Sequence, residues 1–208
     1  MNEPEGLRTL KKERTRKAIA DAAIELFLAE GFDRVSVAEI AARAEVSKPT
    51  LFRYFASKEE LVLHRIADHQ GEAGRVVRDR PAGVSPLAAL RQHFLERLAE
   101  HDPVSGLNDH PQVLAFYRLV FETPSLSAHL LAHIGADLGA LAAALDGSSE
   151  LTDRLLASQF IAVRQVLTRD NWARLAGGLP MPDAHRQAVA DAETAFALLA
   201  SGAEQYGY

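Results

Sequence analysis

The chain contains no cysteine, which excludes disulfides, thiolate nucleophiles, iron–sulfur ligation and every zinc site built on a thiolate. The redox compartment is thereby left unconstrained. No run of 18 or more apolar residues occurs, so no segment has the length and hydropathy of a membrane-spanning helix. The opening Met-Asn-Glu-Pro-Glu-Gly-Leu-Arg carries charges where a secretory leader needs an apolar stretch. These absences predict a soluble, cytoplasmic protein with no membrane partner. Enzyme signatures are missing as well: there is no Gly-x-Gly-x-x-Gly, no phosphate-binding loop, no Gly-x-Ser-x-Gly and no His-Glu-x-x-His. The reading is a non-enzymatic protein that needs no cofactor, with an all-helical enzyme as the distant alternative. What is present is ordinary: 208 residues, 48% hydrophobic and 25% charged, enough for one or two domains with a buried core and too apolar for disorder.

Lysine is scarce in an uneven way. All five lysines fall in the first 58 residues, and all eight histidines fall after them. The formal net charge of −5 therefore hides a division. Residues 1–58 hold 11 basic and 9 acidic side chains, and the remainder holds 12 arginines against 19 acidic residues. A slightly basic head on an acidic body is a hint of nucleic-acid contact, although a solvated charged face gives the same arithmetic.

Helical periodicity runs through the chain and no strand pattern emerges. From Lys11 to Glu30, Ile19, Ala22, Ala23, Leu26 and Phe27 form one apolar stripe. Gly31 then suits a left-handed helix end, with Phe32 folding back on the last turn. Ser36-Val-Ala-Glu39 is a capping box that starts a second, short helix, with Val37, Ile40, Ala41 and Ala44 turned inward. Ser47, with Pro49 in the first turn, starts a third. Ser57-Lys-Glu-Glu60 opens a fourth, predicted to continue through Leu61, His64, Ala67 and Asp68 towards Arg78. Turn-rich segments at 80–86, 101–111, 146–149 and 177–182 separate further helices at about 86–100, 111–122, 125–145, 150–176 and 183–203. The expectation is nine helices, three in a head and six in a body.

The segment Val37 to Phe55 is the most informative. It predicts two short helices joined by a tight turn, with Val46 plugging the turn and Leu51 and Phe55 anchoring the second helix on the first. Ser47, Lys48, Thr50, Arg53 and Tyr54 are then left on the outer side. Hydroxyls, cations and a phenol presented from one short helix suit the major groove of DNA, with phosphates met by cations and backbone N–H groups. A plain helical hairpin with a polar outer face is the bland alternative.

Residues 10–62 resemble the DNA-binding module of the TetR family of bacterial transcriptional regulators. The resemblance rests on Ala-Glu-Gly-Phe at the end of the first helix, Ser-Val-Ala-Glu-Ile-Ala, and Val-Ser-Lys-Pro-Thr-Leu-Phe-Arg-Tyr-Phe-Ala-Ser-Lys-Glu-Glu-Leu. It implies an all-α fold: an N-terminal three-helix helix-turn-helix domain at 8–57 and a C-terminal six-helix ligand-binding and dimerisation domain at 58–208. It further implies a repressor that holds a double-stranded DNA operator as a homodimer and is released by a small-molecule effector. Carried over by position, Ser47, Lys48 and Thr50 open the recognition helix and Tyr54 meets a phosphate or base edge. Lys58 grips the DNA backbone from the start of the fourth helix, Ser36 is placed for a phosphate, and Arg14 for the backbone or minor groove. Two positions depart from the family pattern. Glu45 stands where the turn usually has glycine, which requires an unusual backbone angle of a non-glycine residue. Phe52 stands where tyrosine is frequent, removing a hydroxyl.

The resemblance places dimerisation on the last two helices. Ala188, Ala192, Ala195, Phe196 and Leu199, with Leu155, Leu156, Phe160, Val163, Val166 and Leu167, are suited to such a contact, and an intramolecular core would give the same pattern. For the effector, Phe94, Phe116, Tyr117, Phe121 and Phe160 are the candidate aromatic lining, with His133 as the polar group. That set fits a hydrophobic or flat aromatic ligand. Arg118 and Arg164 are the candidate cations. His129, His133 and Asp137 recur every four residues and raise the alternative of a metal-responsive regulator. A polar helix edge is the preferred reading, with no metal assigned.

Overall fold

A computed structural model describes residues 5–67, 69–147 and 149–203. Asp68, which the periodicity carries inside the fourth helix, lies outside the described residues, as do Ser148 of the 146–149 turn and the 204–208 end of the second domain. Among the described residues the chain is entirely helical. It forms ten α-helices: α1 (Glu5–Glu30), α2 (Val37–Arg43), α3 (Lys48–Tyr54), α4 (Lys58–Ala67), α5 (Glu72–Arg78), α6 (Pro86–Ala99), α7 (Pro111–Glu122), α8 (Pro124–Ala142), α9 (Glu150–Ala176) and α10 (Met181–Ala203). A 3-10 turn at Pro103–Ser105 lies inside the long loop before α7.

The body thus has one helix more than the periodicity predicts. The stretch expected as one helix from residue 58 to 78 is two, because Gly71 adopts φ +72 and serves as the left-handed N-cap of α5. An apolar repeat runs across such a break unchanged, so periodicity alone does not register it.

Backbone proximity divides the chain into two compact units. The first comprises residues 1–68 with 118–130, and the second 69–117 with 131–208.

In the first unit, α1 packs against α2 and α4, and α2 against α3. The stripe of α1 is buried at Ile19, Ala22, Ala23 and Phe27, joined by Ala20 and Ile24, while Leu26 is half-buried. Gly31 ends α1 at φ +91, its N–H donating to the Phe27 carbonyl at 2.9 Å. The Phe27 and Phe32 rings then close at 5.0 Å, the hydrophobic contact expected of this helix end.

In the second unit, α10 packs on α9 and α6, and α5 on α6. Phe196 of α10 lies 6.1 Å from both Phe94 of α6 and Phe160 of α9. Here the expected dimer stripe needs correction: Ala188, Ala192, Phe196 and Leu199 of α10, and Leu156, Phe160 and Leu167 of α9, are buried in the unit's own core, with Val163 and Ala195 packed against it. Small residues at helical spacing allow close approach of any helix, and here the approaching helix belongs to the same chain. Of that set, Leu155 and Val166 are the two left exposed.

Candidate functional site

The α2–α3 segment is built by local chemistry. The Ser36 hydroxyl accepts the Glu39 N–H at 3.3 Å and the Glu39 carboxylate accepts the Ser36 N–H at 2.7 Å. That reciprocal box fixes the start of α2, and the hydrogen bonds from Ser36 hold the Glu39 carboxyl below its ordinary pKa. At the other end, Val46 N–H donates to the Ala41 carbonyl at 2.9 Å and Glu45 N–H to Ala42 at 3.1 Å. This is the Schellman pairing, with the left-handed residue between the two helices. That residue is Glu45, at φ +55, the unusual angle its position demands. The turn is therefore the one a glycine would make, adopted by a glutamate.

Helix α3 begins at Ser47, whose hydroxyl accepts the Thr50 N–H at 3.2 Å and meets the Thr50 hydroxyl at 2.8 Å. Leu51 and Phe55 are buried, as their spacing predicts. The outward surface carries Lys48, Pro49, Phe52 and Arg53, with Thr50 and Tyr54 half-buried beside them. The Arg53 guanidinium lies 5.6 Å from the Tyr54 ring centroid, which orients both groups. Arg14 is exposed on α1, and Arg16, two residues on, lies over the Phe55 ring at 5.4 Å.

Lys58 is placed differently from the other cations. Its ammonium donates to the Phe32 carbonyl and lies 4.3 Å from the Phe32 centroid and 5.5 Å from that of Phe27. It fastens the start of α4 to the turn after α1, a role that spacing did not suggest.

The second unit contains a cavity lined by the apolar Ala73, Leu90, Phe94, Val104 and Phe160 together with the polar Glu72, His93, Arg97, Ser105 and Arg164. Its volume is about 30 Å³, room for roughly two water molecules. Of the aromatic candidates, Phe94 and Phe160 line it. Phe116 and Tyr117 pack edge-on at 6.0 Å, and the Tyr117 hydroxyl donates to the Pro103 carbonyl at 2.7 Å; neither ring lines the cavity. Burial pushes the Tyr117 phenol well above its usual range. Phe121 belongs to the first unit, and His133 is half-buried on α8 away from the lining set.

The polar part of this lining was only partly legible in the sequence, through Arg164. Glu72 sits at its centre: its carboxylate accepts Arg97 at 2.8 Å and meets His93 at 3.2 Å and His69 at 3.3 Å. The hydrogen bond from His93, aided by the nearby cations, holds the Glu72 pKa down at about 2 against the desolvation that opposes it. Arg97 also reaches Asp102 at 2.7 Å, and Arg164 pairs with Asp137 at 2.7 Å. The spacing of His93 and Arg97, one helical turn apart beside Leu90 and Phe94, was the available signal.

The His129, His133 and Asp137 alternative does not survive. Eight helical positions separate the first and last by about 12 Å along the axis, and Asp137 is engaged by Arg164 and by the Gly71 N–H at 2.8 Å. His129 meets the Ser125 carbonyl at 3.0 Å. Among the described residues, no group of three or more His, Asp and Glu side chains is arranged to hold a metal ion. No helix among them is long and apolar enough to cross a membrane.

Two short capped helices joined by a left-handed turn, the second exposing cations, together with an all-helical body, define a helix-turn-helix DNA-binding regulator. The family model of bacterial regulatory proteins, tetR family, matches residues 19–64. The transcriptional regulator TcmR of Streptomyces glaucescens is 36% identical over 178 residues, covering 81% of this chain and 78% of that protein. The transcriptional repressor KstR of Rhodococcus jostii is 32% identical over 102 residues, 45% of this chain and 44% of that protein. The fold is shared with NalD, the secondary repressor of the MexAB-OprM multidrug efflux pump in Pseudomonas aeruginosa, at a TM-score of 0.59 and 22% identity, covering 92% of this chain and 96% of NalD. The chain belongs to the tetR family of bacterial regulatory proteins.

Proposed function

We propose that this regulator is a cytoplasmic homodimeric repressor that holds a pseudo-palindromic operator through two copies of α3 and is released by a small hydrophobic or aromatic effector. Residues 8–57 act as the reading head, and 58–208 as the effector-binding and dimerisation part. The observation that carries this reading is the outward face of α3, where Lys48 and Arg53 flank Phe52 beyond a rigid left-handed turn. Arg14, Lys48 and Arg53 neutralise phosphates or reach base edges, and Tyr54 donates its hydroxyl. Ser36 and Ser47 contribute to the DNA surface through the helix starts they cap, and Thr50 through the first turn of α3, where its hydroxyl meets that of Ser47. Lys58 acts mainly by holding that surface together, with its remaining N–H groups available to the DNA backbone.

The test is selection of bound DNA from a random pool, followed by affinity measurement on the selected sequence. Two half-sites related by a dyad, about 10 base pairs or a multiple apart, are expected. Arg53→Ala and Tyr54→Phe lower the affinity without changing circular dichroism or oligomeric state. Log affinity falls linearly with log salt, with a slope of about −0.9 per phosphate neutralised. A salt-independent affinity, or unchanged binding in both variants, overturns the assignment of the surface.

A further inference from the structure

The outward face of α3 is charged at its flanks and apolar in its middle. Its exposed side chains are Lys48, Pro49, Phe52 and Arg53. At about 100° per residue they cover about 140° of the helix, in the angular order Lys48, Phe52, Pro49, Arg53. The two cations therefore stand on either side of an apolar pair, Pro49 and Phe52, which are neighbours at i and i+3. Phe52 is 50% exposed, while Leu51 and Phe55 hold the opposite side of the helix in the core. The Ser47 hydroxyl accepts the Thr50 N–H at 3.2 Å and meets the Thr50 hydroxyl at 2.8 Å, which fixes the turn that carries Pro49. The Arg53 guanidinium lies 5.6 Å from the Tyr54 centroid. Tyr54 follows Arg53 around the helix on the side away from Phe52, so the cation leans away from the phenyl ring and leaves it open.

An exposed ring between two cations suits an anionic partner that offers an apolar group between its charges. Duplex DNA has that arrangement. Phosphates run along both edges of the major groove, and the C5 methyl of thymine is the apolar group among the donors and acceptors of its floor. Neither Phe52 nor Pro49 has a side-chain donor or acceptor, and proline lacks the backbone N–H as well. Cytosine offers no methyl and an N4 donor, and a purine offers the N7 acceptor. Covered by an apolar ring, such a donor or acceptor loses its water without gaining a partner.

We infer that Phe52, with Pro49 beside it, is a sequence-reading residue of α3, packing its ring against the C5 methyl group of one thymine in each operator half-site. Lys48 and Arg53 hold the flanking phosphates and set the register in which the ring meets that base. This rests on α3 being the DNA surface, as proposed above, and assigns to it the base and the atom that it reads.

The test uses the full chain and the duplex that it enriches from a random pool, with each thymine of the half-sites replaced in turn by deoxyuridine, which lacks only the methyl group. Fluorescence anisotropy reads the affinity. At one thymine per half-site the replacement is expected to lower affinity about fourfold, the contribution of one buried methyl group, and about fifteenfold when both half-sites are changed. Exchanging the same T·A pair for C·G lowers affinity, and 5-methylcytosine in place of that cytosine restores about fourfold per half-site. Phe52→Ala is expected to bind the thymine and deoxyuridine duplexes alike, whereas Phe52→Leu, which keeps an apolar side chain, retains part of the difference. A Phe52 that merely supported the helix would, on truncation, weaken both duplexes by one factor and leave the methyl effect in place. Indifference to the methyl at every thymine, or a methyl effect that persists in Phe52→Ala, overturns the inference and leaves the DNA surface standing. Failure to enrich any duplex removes the DNA surface on α3, and the inference with it.

Discussion

Glu45 is the residue where local energetics and the fold disagree most plainly. A left-handed backbone costs a non-glycine residue about 1–2 kcal/mol, whereas glycine loses about 0.5–1 kcal/mol more backbone entropy on folding than alanine does. The first figure is the larger, so Glu45→Gly is expected to stabilise the protein by about 0.5–1 kcal/mol. At about 2–4 °C per kcal/mol for a chain of this size, the change is a rise of a few degrees or less in melting temperature, measurable by calorimetry. An unchanged or lowered midpoint would show that the Glu45 side chain makes a compensating contribution. The residue also shows what was legible beforehand. Its departure from glycine was visible in the sequence and its backbone angle followed from the turn it occupies. The inward placement of the Lys58 ammonium was not visible, because a carbonyl acceptor 26 positions away leaves no local pattern.

Elements were legible where their signals are local. Ser36, Ser47 and Ser57 start three helices as their spacing requires, the Ser57 hydroxyl accepting the Glu60 N–H at 3.2 Å. The break between α4 and α5 was missed because it depends on one glycine held by distant partners. Asp137 of α8 accepts the Gly71 N–H, and a Cβ on Gly74 would meet the Ala140 carbonyl oxygen at 2.7 Å, so α5 sits against the backbone of α8. The following residue, Glu72, gives α5 a measurable pH signature. Its folded pKa of about 2 lies below the ordinary carboxylate value of 4.5, so it stabilises the folded state at neutral pH. That contribution is fully present above about pH 4.5 and is lost as pH falls towards 2. Glu72→Gln is therefore expected to be less stable than the parent chain at neutral pH, with the difference shrinking through this window. Denaturant titrations of both proteins at several pH values check it; a difference that stays constant with pH would remove the carboxylate as its cause.

At the scale of the whole molecule, the proposed dimer would place a second copy against the surface of α9 and α10 turned away from the core. Leu151, Leu155 and Val166 are 62%, 51% and 59% exposed, and Leu198 on α10 is 72% exposed. On α9 these leucines and the valine, with exposed Ala162 between them, recur at spacings of 4, 7 and 4 and so lie along one side of the helix. The exposed positions of α10 from Ala190 to Gly202 are Ala190, Thr194, Ala197, Leu198, Ser201 and Gly202, none of them charged. A stripe of this kind, self-complementary about a two-fold axis, suits an isologous four-helix contact. The buried stripe of α10 that looked equally suitable in the sequence is spent on the intrachain core, since periodicity reports an apolar face without reporting its partner. Combining Val166→Glu with Leu198→Glu places like charges on the contact while leaving the core untouched. The expected outcome is a monomer by light scattering with unchanged helical content. Operator affinity falls by about 10²–10⁴-fold, because the second head no longer binds at the effective concentration set by the first. A variant that stays dimeric, or a monomer that holds the full operator as tightly as the parent chain, would place the dimer contact, or the source of affinity, elsewhere.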